Sequence, residues 1–260
     1  MRDLLKGKVE PYYFTDKEML LLGDTFTLMK KIKPGTVNMI FADPPYFLSN
    51  DGITCRGGAM VSVNKGDWDR GFSVDEKNVF NRKWIHLAET LLAPGGTIWI
   101  SGTLHNIYSI GWALEKEGFK IINNITWKKT NPPPNLACKC FTHSTETILW
   151  AQRNNPKEKH IFHYDLMKEQ NGSKQMKDVW EGPLTPPSEK RFGKHPTQKP
   201  LYILERLIGA STNPDDLILD PFCGSSSTGV AAKKLDRRYI GIDNCEEYLK
   251  LSKKRLETEK

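Results

Sequence analysis

The order of apolar segments predicts an α/β fold, a mostly parallel sheet with helices on both faces. Three observations carry this. Short β-rich runs recur, and the runs between several of them carry helical patterns. Two of the strands, Val37–Ala42 and Leu217–Asp220, end abruptly on turns built from Pro, Gly, Ser and Cys. Near the C-terminus, strand, small-residue turn, helix, strand and helix follow one another without interruption.

In chain order, residues 19–22 form an apolar strand that stops at Gly23 and Asp24, and 25–31 fit a short helix. Val37–Ala42 reads as a buried strand halted by Pro44 and Pro45, which lack ladder donors. Residues 97–100 follow a Pro94-Gly95-Gly96 turn and end at Ser101-Gly102. Residues 105–117 suit a helix closed by Gly118, which tolerates a left-handed cap. The runs 121–127 and 146–151 are expected to pair as neighbouring strands. Leu201, Leu204, Leu207 and Ile208 recur at helical spacing. Leu217–Asp220 leads through the turn 223–227 to a helical run over 230–235. A strand over 239–243 and a helix over 246–257 complete the pattern.

Two stretches break the rhythm. Residues 47–67 are rich in Gly, Ser and Asn and too long for an ordinary connection, so a mobile loop is expected there. Residues 153–194 are polar, basic and punctuated by Pro and Gly, with Trp180 and Phe192 interleaved. They are expected to be an insertion on the sheet edge, leaving one domain over 1–260.

The 260 residues carry 38 Lys and Arg against 31 Asp and Glu, a net charge of +7 that suits a polyanionic partner. No apolar run reaches the roughly 18 to 20 residues a bilayer crossing needs, and the N-terminus shows no signal-peptide stretch. No membrane association and a cytoplasmic location are expected. The five cysteines, at 55, 138, 140, 223 and 245, show no Cys-x-x-Cys spacing. Cys138, Cys140 and His143 form the one metal-like cluster, and it lacks a fourth ligand, so no metal site is expected.

The sharpest signal is Asp43-Pro44-Pro45-Tyr46, directly after a buried strand. In open parallel sheets, ligands bind at the carboxyl ends of strands. An aromatic amine is a poor nucleophile because its lone pair is delocalised into the ring. Two acceptors aimed at its N–H groups, the Asp43 carboxylate and the Pro44 carbonyl, would favour a pyramidal nitrogen with that pair free. The prolines stiffen the turn and remove competing donors, and Tyr46 offers a face for an extruded base. The second signal is the strand, small-residue loop and helix start from Asp220 through Pro221, Phe222, Cys223, Gly224, Ser225, Ser226, Ser227 and Thr228 to Gly229. Such a loop lets a ligand approach the backbone and suits an anionic group. Asp243, ending the next strand, can accept from ribose hydroxyls. The G-x-G-x-x-G dinucleotide spacing is absent.

Together these motifs resemble the amino-methyltransferases of DNA, from about Tyr12 to Arg255. With the Asp43 turn ahead of the Asp220 loop, they resemble the circularly permuted β class. The likeness is to the DpnII-type adenine methyltransferases. It is carried by Phe41-Ala42-Asp43-Pro44-Pro45-Tyr46-Phe47-Leu48-Ser49-Asn50, Leu104-His105-Asn106-Ile107-Tyr108-Ser109, Phe141-Thr142-His143-Ser144-Thr145-Glu146-Thr147 and Gly193-Lys194-His195-Pro196-Thr197-Gln198-Lys199-Pro200.

The resemblance implies a Rossmann-like S-adenosylmethionine-dependent methyltransferase fold. It also implies catalysis by Asp43, Pro44, Pro45 and Tyr46 at adenine N6, with GATC as target. Cofactor contacts would come from Asp24, Thr197, Gln198, Lys199, Asp220, Pro221, Phe222, Gly224, Ser225, Ser226, Thr228 and Asp243. Asp24 would face the cofactor's adenine, and residues 195–200 would close over the cofactor. DNA would be bound single-stranded or with the base flipped out. The 47–67 loop, with Arg56 and Lys65, would clamp it, and the 153–194 insertion would read it. A homodimer and a restriction endonuclease in the same system are further implied partners.

One departure stands out. Ser226 occupies a position that is usually glycine in this family. If the backbone there needs positive φ, a side chain costs roughly 1–2 kcal/mol, and weaker cofactor binding is expected. Three other readings stay open on sequence alone: cytosine-N4 methylation, RNA methylation and a catalytically silent nucleic-acid-binding subunit. Cys223 and Cys245 are read as structural.

Overall fold

The computed structural model describes residues 1–47, 53–56, 59–62, 73–193 and 195–259. Its elements are β1 (Tyr13–Phe14), β2 (Glu18–Leu22), α1 (Thr25–Met29), β3 (Val37–Ala42), β4 (Ile53–Arg56), β5 (Ala59–Ser62), α2 (Val74–Leu91), β6 (Leu92–Gly102) and α3 (Ile107–Lys116). They continue with β7 (Phe119–Lys129), β8 (Thr145–Arg153), α4 (Tyr164–Gln170), β9 (Val179–Gly182), α5 (Leu201–Ser211), β10 (Leu217–Asp220), α6 (Ser227–Lys234), β11 (Arg238–Asp243) and α7 (Glu246–Thr258).

Nine strands form one sheet in the order β1-β2-β11-β10-β3-β6-β8-β7-β9. The run from β2 to β6 is parallel throughout. β8 runs against both β6 and β7, and β9 is parallel to β7. All the carboxyl ends except those of β1 and β8 therefore point one way, and β8 brings its amino end, Thr145, to that same side.

Alternation along each strand explains the two cores. On β3, Ile40 and Ala42 pack with α2 and α3, while Met39 and Phe41 pack with α5, α6 and α7 on the opposite face. Each side buries a continuous apolar layer, the arrangement a parallel sheet requires. Trp99 on β6 stacks on its cross-strand partner Trp150 at 4.6 Å and 3°.

The anticipated strands and helices form, with differences at several points. Pro94-Gly95-Gly96 does not precede β6 but lies within it, where the register against β3 shifts. Gly95 has φ 74, and a Cβ there would stand 2.5 Å from the Lys159 carbonyl oxygen. α6 begins at Ser227, earlier than the apolar pattern suggests. α2 has no counterpart among the anticipated elements. Its signal was present: Ser73 and Glu76 form a reciprocal capping box at its start.

Residues 153–194 do add a strand, β9, to the sheet edge, but they divide between the two ends of the sheet. Arg153 donates to the carbonyls of Leu92 and Ala93 at 2.8 Å each, at the amino end of β6. The His163 amide donates to the Ala210 carbonyl near the end of α5. α4 then packs on α5, and β9 returns along β7 to Gly182, whose carbonyl accepts from the Thr130 amide. Of the expected mobile loop 47–67, residues 48–52, 57–58 and 63–67 lie outside the described residues. Within it, β4 and β5 form an antiparallel pair. Among the described residues, no helix is long and apolar enough to cross a membrane.

Candidate active site

β3 and β10 are neighbours, with Ile218 opposite Met39 and Leu219 opposite Ile40. Their carboxyl ends therefore open side by side, and the turns after Ala42 and Asp220 face one cavity of about 480 Å³. Asp43, Pro44, Pro45 and Tyr46 line it from the β3 side. Asp220, Pro221, Phe222, Gly224, Ser225 and Thr228 line it from the β10 side, joined by Asp24, Asp243, Thr197, Gln198 and Lys199. Residues nearly 180 positions apart in sequence thus share one chamber.

Ser226 is the exception among the anticipated residues. It is fully buried but does not reach the cavity wall, because its side chain points to Tyr239, whose hydroxyl lies 3.3 Å from Ser226 Oγ. Its backbone is left-handed, φ 52 and ψ 42, as a position usually held by glycine requires. Ser226 thus stands behind the lining to which a direct cofactor contact was assigned. The residue shapes the loop from behind.

The Asp43 carboxylate is more engaged than its sequence context suggests. Oδ1 accepts from the Tyr46 hydroxyl at 2.7 Å, and Oδ2 accepts from Lys199 Nζ at 2.6 Å. Lys199 was expected near the cofactor. It does line the cavity, but its ammonium also bridges to Glu146 Oε1 at 2.9 Å. Glu146, at the start of β8, further accepts from Ser101 Oγ at 2.8 Å and pairs with Lys129 at 2.9 Å. Two carboxylates and two ammonium groups thus balance in a buried cluster, as buried charge requires. Asn106 Nδ2 donates to the Pro45 carbonyl at 2.8 Å and fixes the turn. Among the described residues, no hydrogen bond reaches the Pro44 carbonyl.

The charges respond to this setting. Burial raises the pKa of Asp43, reinforced by Glu146, and Lys199 only partly offsets it. Burial acts on Glu146 in the same direction, but Lys199 and Lys129 outweigh it and bring that pKa to about 2. Burial works to lower the pKa of Lys199, and the two carboxylates reverse it, so the ammonium form is favoured. Burial, then Asp43 and Glu146, push the Tyr46 hydroxyl well up, so it stays a donor.

On the β10 side, burial raises Asp220 to about 7 against the bonds it accepts from Thr228 Oγ1 (2.6 Å) and the Phe222 amide (3.1 Å). Asp243 accepts the Gly224 and Cys245 amides, each at 2.8 Å, which ties β11 to the loop. Asp24 caps α1 through the Thr27 amide at 2.9 Å. Phe26, Phe80 and Phe222 add an aromatic wall, Phe80 lying edge-on to Phe26 at 5.4 Å. His195 closes over Gly224 and meets Tyr248 edge-on at 4.3 Å.

Sequence reasoning missed Glu146, Lys129, Phe26, Phe80 and Tyr248 as site residues. Glu146 lay within a stretch that carried the family resemblance, which was its one available signal. Cys138 and Cys140 are exposed thiols, and among the described residues no three metal-ligating side chains converge.

The parallel sheet, with an acidic cavity spanning the ends of adjacent strands and a proline-stiffened turn on its wall, defines an amino-group methyltransferase of permuted motif order. Residues 37–254 match the N6/N4 family of DNA methylases, and the chain belongs to that family. It is 64% identical over 250 residues to the type II methyltransferase M2.DpnII of Streptococcus pneumoniae, covering 96% of this chain and 93% of the relative. It is 50% identical over 250 residues to M2.MboI of Moraxella bovis, covering 95% and 91%. Among solved structures, the SAM complex of M1.HpyAVI matches with a TM-score of 0.68 and 28% identity, over 92% of this chain and 98% of that one. The cytosine-N4-specific PvuII methyltransferase shares the fold, with a TM-score of 0.74 at 17% identity, over 95% and 89%.

Proposed function

We propose that this DNA methylase transfers a methyl group from S-adenosylmethionine to adenine N6, within GATC, as the modification partner of a restriction endonuclease. The single observation that carries the reading is the shared cavity: the Asp43 turn and the Asp220 loop face each other across it. The cavity fits the cofactor. Phe26, Phe80 and Phe222 suit a purine face, Asp243 suits ribose hydroxyls, and Asp43 with Asp220 suits a sulfonium cation. The relatives named as type II methyltransferases support the restriction context, and the DpnII-type resemblance supplies the target.

When bound, S-adenosylmethionine supplies a methyl whose C–S bond breaks as the amine lone pair forms the new N–C bond, the bonding electrons staying on sulfur. Asp43 and the Pro44 carbonyl accept from the two amine N–H groups and hold the nitrogen pyramidal. The methylated nitrogen sheds one proton, and Asp43, whose proton affinity burial has raised, receives it. Asp43 lies deep enough, 12% exposed, that the base must leave its stack to reach it.

For gripping DNA, the segment 130–144 is better placed than the first half of 153–194, which packs at the opposite end of the sheet. It rises from Lys129 and Glu146, beside Asp43, and contains no acidic residue. Pro132, Pro133 and Pro134 stiffen it, Asn135 Nδ2 donates to the Cys140 carbonyl at 2.7 Å, and Phe141 is 97% exposed. Homodimerisation is part of the same reading, supported by the exposed row of Leu104, Tyr108 and Trp112 on and beside α3.

The test is methylation of GATC-containing DNA with labelled S-adenosylmethionine, followed by nuclease digestion and mass spectrometry. N6-methyladenine is expected. N4-methylcytosine, or no label in DNA, would overturn the reading.

A further inference from the structure

Both donors that occupy Asp43 have a second acceptor within reach, and it is the same one. Lys199 Nζ lies 2.6 Å from Asp43 Oδ2 and 2.9 Å from Glu146 Oε1. The Tyr46 hydroxyl lies 2.7 Å from Asp43 Oδ1 and 3.2 Å from Glu146 Oε1. An amine that uses Asp43 as its acceptor competes with both of them for the lone pairs of that carboxylate. Lys199 is buried, and if Asp43 were its one carboxylate, losing it would leave an uncompensated charge, a strongly unfavourable state. Glu146 removes that difficulty, because it already holds Lys199 at 2.9 Å.

We propose that Glu146 is a positioning residue that retains Lys199, and takes the Tyr46 hydrogen bond, while the target amine replaces both on Asp43. The inference deepens the methyl-transfer reading and rests on it. Glu146 comes from β8, outside both motifs, and never touches the reacting atoms. Its hold on the two donors is strengthened by geometry. Lys129 and Ser101 brace its carboxylate at 2.9 and 2.8 Å, so it stays in place as the donors turn towards it. Charge is conserved within the cluster, since Lys199 exchanges one carboxylate for a tighter hold on another. As Lys199 withdraws, Asp43 loses the cation that lowers its proton affinity, just when the methylated nitrogen must shed a proton.

The test compares wild type, Glu146→Gln and the double variant Glu146→Gln/Lys199→Met in single-turnover methylation of GATC DNA, with S-adenosylmethionine affinity measured by calorimetry. Glutamine keeps the shape but not the charge, so Lys199 stays on Asp43. At least about a tenfold loss of rate is expected with cofactor affinity unchanged. Removing Lys199 as well takes away the competitor, and the double variant is expected to be faster than Glu146→Gln. A merely structural role for Glu146 predicts the opposite order. Wild-type rates in Glu146→Gln, or a double variant no faster than the single one, would overturn the proposal. A crystal structure of wild type with oligonucleotide and cofactor gives a check that does not depend on folding of the variants. Lys199 Nζ is expected to lie more than about 3.5 Å from Asp43 and bonded to Glu146. Lys199 still bonded to Asp43 beside a bound amine would refute it. Wild type that methylates no DNA rejects the underlying reading, whereas active wild type with an equally active Glu146→Gln rejects only the role of Glu146.

Discussion

His195 lies against Gly224 so closely that a methyl group on the glycine would stand 2.8 Å from the imidazole Nε2 and 2.9 Å from Cε1. Gly224 also has φ +49, a conformation side chains rarely adopt. This contact joins the segment before α5 to the loop after β10, and so closes one end of the cavity. Gly224→Ala therefore meets both a collision and backbone strain, and His195 must move. S-adenosylmethionine affinity is expected to fall by about tenfold or more because the displaced His195 no longer closes the cavity, while the backbone strain itself, about 1–3 kcal/mol, lowers stability. Calorimetry showing wild-type affinity would refute the contact's importance.

Asp43→Asn keeps the shape of the turn and removes the proton acceptor. Methyl transfer is expected to fall by about three orders of magnitude, within the range for losing a general base. Cofactor affinity is expected to fall far less than the rate, because Asp220 still faces the sulfonium and the loop after it is untouched. Substantial retained transfer in a radiolabel assay would reject Asp43 as the residue that orients the amine.

Ser226 bears on stability more than on binding, since its strain is present with or without ligand. Ser226→Gly relieves roughly 1–2 kcal/mol of left-handed strain, but loses the Tyr239 contact, worth about 1 kcal/mol, and adds chain entropy. Unfolding free energy is expected to shift by less than about 1 kcal/mol. A β-branched residue cannot adopt this backbone cheaply, so Ser226→Val should destabilise by about 2 kcal/mol or more. Denaturant titrations of both variants decide the point, and a stable Ser226→Val would contradict it.

His195 is held neutral. Burial, then the charges of Lys199 and Arg255, push its pKa down to about 4. The unfolded chain binds that proton near the usual value of about 6.5, so the unfolded state gains more protons between about 6.5 and 4. Stability from this group is complete above that window and is lost as pH falls through it. A decline of about 2 kcal/mol between pH 7.5 and 4.5 is expected from His195, allowing for its residual exposure. His195→Gln should flatten that part of the profile. An NMR titration of His195 with its midpoint near 6.5 would contradict the assignment.

Phe141 provides a test of the DNA-facing arm. Stacking of a base on an aromatic ring is worth about 1–3 kcal/mol, so Phe141→Ala should weaken oligonucleotide binding by about tenfold. Cofactor affinity and thermal stability should not move, because the ring is 97% exposed. Unchanged anisotropy-measured DNA affinity would remove Phe141 from the interface.

Local pattern determined most of the strands and both turns of this chain. The short apolar run Val37–Ala42 marks a buried strand without reference to any partner, and Pro44-Pro45 ends it through its own chemistry. The small-residue loop after Asp220 was legible for the same reason. Helix α2 is marked in the sequence only by its capping pair, Ser73 and Glu76.

What needed the tertiary structure was everything that depends on strand order and direction. Glu146 meets Tyr46 across 100 residues only because β8 runs against β6 and carries its amino end to the Asp43 side. The first half of 153–194 lies at the far end because β8 delivers Arg153 to the start of β6. Hydrogen bonding between distant strands selects those directions, and no short window of sequence contains both partners.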